Sequence, residues 1–270
     1  MQIECLTAER GFFWVFDIPL NFSKRQLVSR RQEFHINTEE LSHRAIVIKR
    51  NCTSVLTILT LLTLSVPTLS AAGEWKVLSK EDWRGYKRAD FPPNGWEADA
   101  GGFRTMPGSG NHADLISKRV YRNFELELEW KVSPGGNGGI FFRGAETQPE
   151  LWQTAPEIQV LDDDKHPDGK NPKTSAGALY DLIAPSGKKL VPVGEFNKFR
   201  LVVNGSHVEH WLNGTRILEY ELGSDRLKSL IAQSKFRDKS EFAKQNEGHI
   251  GLQHHGQEVW YRNIRIRELP

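Results

Sequence analysis

The chain has 270 residues, 38% of them hydrophobic and 26% charged, a globular composition that excludes collagen-like, low-complexity and multispan membrane classes. Its 36 basic and 34 acidic residues leave a net charge of +2. Beyond Ala72 the two signs balance, so nothing marks a nucleic-acid or anionic-membrane partner.

Residues 1–46 show no periodicity, repeat or motif. They read as an upstream extension, without fixed structure or added by a start site that truly lies near Val47. Residues 47–72 carry Lys49 and Arg50, an apolar run from Ser54 to Leu69, and the small residues Ser70-Ala71-Ala72. A basic start, a short apolar stretch and a small-residue site form a secretory signal, with cleavage expected after Ala72. The run is shorter than the ~20 apolar residues of a membrane span, and Pro67 interrupts it. An exported protein, periplasmic or extracellular, is therefore expected, with residues 73–270 as one domain. Cys5 and Cys52 both precede the cleavage site, so the mature chain offers no disulfide, thiolate nucleophile or Cys-ligated metal.

The mature part reads as many short strands. Glu74–Leu78 opens it, Asp82–Lys87 reads as a surface turn with aromatic anchors, and 95–102 carries a strand and turn. In 124–132, Phe124, Leu126, Leu128, Trp130 and Val132 alternate with Glu125, Glu127, Glu129 and Lys131, the pattern of a half-buried strand. Ser133 to Gly139 is read as a turn, because its glycines and proline suit positive or fixed φ better than ladder pairing. Ile140–Arg143 and Pro156–Leu161 follow as strands, and 177–182 is expected to be another. Strands 199–204, 206–212 and 215–220 are joined at Asn204-Gly205 and Asn213-Gly214, both hairpin signals. The stretch 225–242 is read as helical, and 248–253 and 259–266 close the domain. Short strands at regular spacing with Gly and Asn turns predict an all-β, antiparallel two-sheet sandwich.

Five motifs carry a resemblance in order: GNGGIFFR, PEIQVLDDDKHPDG, GALYDLIAP, GEFNKFRLVVNGSHVEHWLNG and GHIGLQHHGQEVWYRNIRI. Together they resemble the bacterial 3-keto-disaccharide hydrolase domain family from about Trp75 to Glu268. The mild departures are Gly138, Phe196 and His254. The resemblance implies a concanavalin A-like jelly roll, export, and cleavage of 3-keto-disaccharides or 3-keto-glucosides. It also implies a sugar 3-dehydrogenase acting upstream to make the ketone.

On such a fold, inward polar side chains of neighbouring strands converge on a concave face. Parity puts Glu157 with Gln159 on one strand and Gln253 with His255 on another. A ketone at C3 acidifies the C2–H, so the chemistry needs a base, an acid and an enolate stabiliser. Glu157 or His255 is the expected base, and Arg143 or a bound cation the expected stabiliser. Asn137, Gln159, Tyr180, His210 and Gln253 are expected substrate contacts, and Trp152 a stacking platform. Asp162, Asp163 and His166 offer ligands for a divalent cation such as Ca²⁺ or Mn²⁺, without EF-hand spacing. Two other classes compete. A lectin-like carbohydrate-binding module is open because fold alone does not give activity. A conventional glycosidase would need a second carboxylate, where Gln159 offers an amide.

Overall fold

The computed structural model describes residues 72–99, 101–108 and 113–270. The extension, and all but the last residue of the expected signal, lie outside the described residues. The described residues fall within one compact unit, Ser65–Pro270. No helix among them is long and apolar enough to cross a membrane.

In chain order the strands are β1 (Lys76–Val77), β2 (Trp83–Gly85), β3 (Trp96–Asp99), β4 (Gly102–Thr105), β5 (Leu115–Tyr121), β6 (Phe124–Val132) and β7 (Asn137–Gly144). Then come β8 (Glu157–Leu161), β9 (Asn197–Asn204), β10 (His207–Leu212), β11 (Thr215–Glu221), the helix α1 (Asp225–Ala232), β12 (Gly248–Leu252) and β13 (Val259–Glu268). An eight-stranded sheet runs β11-β10-β9-β6-β13-β4-β3, with β1 on β13; a five-stranded sheet runs β2-β5-β12-β7-β8. Both are antiparallel, as the strand pattern predicts, and they form a two-sheet jelly-roll sandwich.

β6 shows how alternation becomes architecture. Its Phe124, Leu126, Leu128, Trp130 and Val132 are buried in the common core with Ile140 and Phe142 of β7, Ile158 and Val160 of β8, and Tyr261 of β13. Its glutamates point the other way and pair across the ladder, Glu127 with Arg265 at 2.5 Å and Glu129 with Arg262 at 2.7 Å. Such exposed pairs fix register more than they stabilise. At the β10–β11 hairpin, Asn213 (φ 49°) and Gly214 (φ 82°) both take the left-handed conformation that a two-residue turn of this hand requires.

The structure departs from the sequence reading in four places. Segment 82–87 is not a surface turn: Trp83 is 1% exposed and β2 joins the five-stranded sheet. The Asn137-Gly138-Gly139 run starts β7 rather than breaking it. Gly138 passes so close to the core that a Cβ there would lie 2.6 Å from the Tyr261 hydroxyl, so packing, not flexibility, calls for glycine. Residues 177–182 form a loop tied by single bridges from Leu179 to Ile158 and Ile183. The helix ends at Ala232, and turns carry the chain on to Phe242.

The outer face of the five-stranded sheet is not left to solvent. Tyr86, Ile116, Phe141, Leu151 and Ala155 form a second apolar cluster there, where the 145–156 loop folds back over the sheet. That loop, residues 86–88 and 113–114, and the turn after α1 wall a groove above β7, β8 and β12.

Candidate active site

The groove has a volume of about 720 Å³ and is lined by Asp114, Trp152, Glu157, Lys235, Gln253 and His255 among others. A cleft of that size holds a ligand of disaccharide dimensions. Its floor follows from register. Gly139 of β7 lies opposite Gln159 of β8, and Phe141 opposite Glu157. On the other side the Gln253 backbone N–H donates to the Gly139 carbonyl at 2.9 Å, placing Gln253 beside the same glycine. Gly139 leaves a gap between the two glutamine side chains, and the Glu157 carboxyl leans into it. A Cβ at position 139 would lie 2.5 Å from Glu157 Oε1.

Glu157 is 4% exposed. Burial pushes its pKa from 4.5 up to about 8; Asp114 and Asp168 raise it further, while Lys235 and a hydrogen bond from Gln253 lower it. Among the described residues no Lys, Arg or His lies within salt-bridge distance of this carboxyl. Asp114, just before β5, is pushed by burial to about 7, against a 3.0 Å hydrogen bond from the His254 backbone N–H. Strongly perturbed carboxyls sharing a cleft mark functional sites more often than structural ones.

The amides are unsatisfied. Among the described residues, six buried side-chain polar atoms lack a hydrogen-bond partner, and four belong here: Gln159 Oε1 and Nε2, Asn137 Oδ1 and Gln253 Oε1. An unmade buried hydrogen bond costs about 1–3 kcal/mol, so these four atoms call for a polar partner from outside the chain, such as water or a ligand. Asn137 sits between two imidazoles, its Nδ2 3.4 Å from His166 Nε2 and 3.4 Å from His255 Nδ1.

Tyr180 adjoins Glu157. Its backbone N–H donates to the Glu157 carbonyl at 3.0 Å, and its hydroxyl donates to Asp168 Oδ2 at 3.2 Å. Burial raises its pKa, with Asp168 and Glu157 adding to the shift, so it stays protonated. Trp152 packs against both apolar clusters and lines the groove, with the Lys239 ammonium 5.0 Å from its ring centre.

Glu157, Gln253, His255 and Trp152 thus line the groove, with Gln159, Tyr180 and Asn137 beside them, and two expected site residues lie elsewhere. Arg143 has φ 50°, which turns its side chain out of the alternation of β7. Its guanidinium is consumed elsewhere, donating to the Arg122 carbonyl at 2.7 Å and the Gly205 carbonyl at 2.8 Å. His210 lies between the sheets with no exposure. Its Nδ1 donates to the Gly177 carbonyl at 3.1 Å and its Nε2 accepts from the Tyr220 hydroxyl at 3.2 Å, while burial depresses its pKa to about 4. It is a neutral core histidine.

The Asp162, Asp163 and His166 set does not fit a metal ion. Asp162 accepts backbone N–H groups of Gly135, Asp164 and Lys165, and Asp163 accepts from Ala176 and pairs with Lys188 at 2.6 Å. His166 Nδ1 accepts from the Asp168 N–H at 3.2 Å. These groups cap their own loop, whose effect is to present Asp168 to Tyr180.

Sequence reasoning missed Asp114 and Lys235. Both come from irregular segments, where neither spacing nor parity says which way a side chain faces. Lys235 follows α1, and its Nζ lies 4.0 Å from the Tyr180 ring centre, 5.0 Å from Phe236 and 5.2 Å from Trp152. His254, placed by parity on the opposite face, also lines the groove, with its Nε2 3.2 Å from the Met106 carbonyl.

Comparison with known proteins gives a consistent set. Residues 74–267 match the model of the 3-keto-alpha-glucoside-1,2-lyase-like domain. A 3-keto-disaccharide hydrolase of Bacteroides thetaiotaomicron is 38% identical over 216 residues, covering 69% of this chain and 74% of that protein. Two solved structures of Parabacteroides distasonis proteins assigned to the glycosyl hydrolases superpose on it. One has a TM-score of 0.66 at 25% identity, covering 73% of this chain and 94% of the other. The second has a TM-score of 0.58 at 27% identity, covering 73% and 100%.

Proposed function

This chain belongs to the 3-keto-alpha-glucoside-1,2-lyase-like domain family, and on that premise we propose that it cleaves the glycosidic bond of 3-keto-disaccharides or 3-keto-glucosides. The observation that carries the reading is the buried Glu157 carboxyl, free of any salt bridge among the described residues, leaning over Gly139 beside partly unsatisfied amides at a sugar-sized groove.

The ketone makes the route economical. Glu157 as carboxylate takes the proton from C2, and the C–H electron pair passes into a C2–C3 enolate with charge on the C3 oxygen. As the ketone re-forms, that pair becomes a C1–C2 double bond and the C1–oxygen bond breaks. The departing oxygen takes a proton from a group in the groove, and Asp114 and His255, which both line it, are the donors proposed. Addition of water, with hydroxide to C1 and a proton to C2, returns a 3-keto sugar, so the net change is hydrolysis. A carboxylate with a pKa near 8 is a stronger base towards a C–H bond than an ordinary one, which is the chemical use of its burial. Gln159, Gln253 and Asn137 would hold hydroxyls, and the signal segment read from the sequence supports action after export. The substrate presupposes an earlier oxidation at C3 by a sugar 3-dehydrogenase.

A conventional glycosidase, ranked below a lectin-like module by the sequence alone, becomes the second reading, because Asp114 joins Glu157 as a second perturbed carboxyl in one groove. Incubation with a methyl 3-keto-glucoside beside the unoxidised methyl glucoside separates the two. Cleavage of the keto sugar alone supports the proposal; cleavage of both at similar rates would replace it with the glycosidase reading, and binding without cleavage with a lectin-like one.

A further inference from the structure

Resting on that reading, we infer that Lys235 is the group that holds the negative charge of the enolate, in the role that the sequence assigned to Arg143. Three observations point to it. Lys235 lines the groove that Glu157 floors, so one ligand can touch both. Its ammonium is held over the faces of Tyr180, Phe236 and Trp152, at 4.0, 5.0 and 5.2 Å from their ring centres. Among the described residues no carboxylate lies within salt-bridge distance of it. Aromatic faces attract a cation without neutralising it. The arrangement therefore keeps a full positive charge oriented and available.

The backbone supports this placement. The Lys235 N–H donates to Asp181 Oδ2 at 2.9 Å, and the flanking Ser234 and Phe236 are buried, so the residue is pinned on both sides. Asp181 adjoins Tyr180, whose own N–H is bonded to the Glu157 carbonyl. One short segment thus sets the distance between the base and the cation. Partial burial lowers the Lys235 pKa while Glu157, Asp181 and Asp168 raise it.

In the elimination, proton removal from C2 sends the C–H pair to the C3 oxygen, where the ammonium meets the charge. When the C1–oxygen bond breaks, the charge leaves C3 with the departing group, and Lys235 neither gains nor loses a proton. The residue touches the reacting ketone and is a catalytic residue on this account.

The test compares Lys235→Met and Lys235→Arg with wild type on a methyl 3-keto-glucoside, across pH 5 to 9, with thermal unfolding as a check on fold. The groups facing Glu157 are Lys235, Asp114 and Asp168, with the Gln253 amide. Removing the cation alone raises the pKa of Glu157, so two readouts move together. Lys235→Met should lower kcat about 100-fold or more, the scale for losing one oxyanion donor. Its ascending pH limb should shift to higher pH. Lys235→Arg should recover at least part of kcat and return the limb toward its wild-type position. A loss confined to KM, or a kcat loss with the limb unmoved, makes Lys235 a wall residue and overturns the inference. So does a Met variant within about threefold of wild type, and so does equal loss in both variants with their folds intact. A wild-type protein that leaves the keto sugar whole overturns the function itself, and this inference with it.

Discussion

Glu157 places its carboxyl directly over Gly139 on the neighbouring strand, in space that the smallest side chain would occupy. The catalytic geometry proposed above therefore depends on a residue that has no functional group. A Cβ at 139 would sit 2.5 Å from Oε1 and 3.0 Å from Cγ of Glu157, with no backbone among its three nearest atoms. Gly139→Ala should displace the carboxyl rather than the strand. We predict a kcat at least ~10-fold lower with an unfolding temperature within a few degrees of wild type, since small misplacements of a reacting group cost rate before they cost stability. Unchanged kcat would mean that the position of the carboxyl over Gly139 does not matter to turnover.

Glu157→Gln tests the base itself in two ways. Turnover should fall by roughly 10²–10⁴-fold, the usual contribution of a general base. Stability should move oppositely. The folded protein holds a proton on Glu157 that the unfolded chain releases between about 4.5 and about 8, so wild-type stability declines as pH rises through that window. The decline is at most about 1.4 kcal/mol per pH unit. The glutamine variant lacks it, so its advantage in denaturant midpoint should be larger at pH 8 than at pH 5. An advantage that shrinks with rising pH would show Glu157 to be ionised and paired in the folded state.

His210 should behave as structure. Its pKa of about 4 lies below the ordinary 6.5, so the unfolded chain takes up a proton that the folded core refuses as pH falls from 6.5 to about 4. That residue's contribution to stability is therefore lost on acidification through this window. His210→Phe strands the Tyr220 hydroxyl and the Gly177 carbonyl, costing about 1–3 kcal/mol at pH 8, and the difference from wild type should narrow at pH 5. KM of the folded variant should match wild type; a tenfold rise would return His210 to the list of substrate contacts.

Arg143→Met removes donors from the carbonyls of Arg122 and Gly205, which tie the β5–β6 and β9–β10 turns together. We expect a stability loss of about 1–3 kcal/mol with kcat within threefold of wild type. A hundredfold loss of kcat at unchanged unfolding temperature would place the guanidinium in the reaction after all.

These assignments also show which parts of the site the amino-acid order makes legible. Alternation along 124–132 and 157–161 identified the core face of one strand and the pairing of Glu157 with Gln159, because side-chain direction in a ladder has period two. The same rule, applied to His210, was available and pointed inward: Val208 and Leu212 flank it at the same parity and are buried with it. Arg143 misled because a positive φ breaks the period, and nothing in FFRG announces it. Lys235 and Asp114 stayed invisible because loops have no period at all. The aspartate run at 162–164 read as metal ligands by composition, yet its oxygens serve backbone N–H groups of the same turn. The glycines at 138 and 139 carried the opposite lesson: they serve close approach within a strand, by Tyr261 on one side and Glu157 on the other.

The central claim is that cleavage begins with removal of the C2 proton by Glu157. The most direct measurement is NMR of products from a methyl 3-keto-glucoside turned over in D₂O by residues 73–270, beside Glu157→Gln and beside the unoxidised glucoside. The account predicts cleavage of the keto sugar alone, deuterium at C2 of the sugar product, and neither cleavage nor exchange at a comparable rate in the variant. Cleavage with C2 still carrying its original proton would contradict it, and would move the chemistry to direct attack of water at C1.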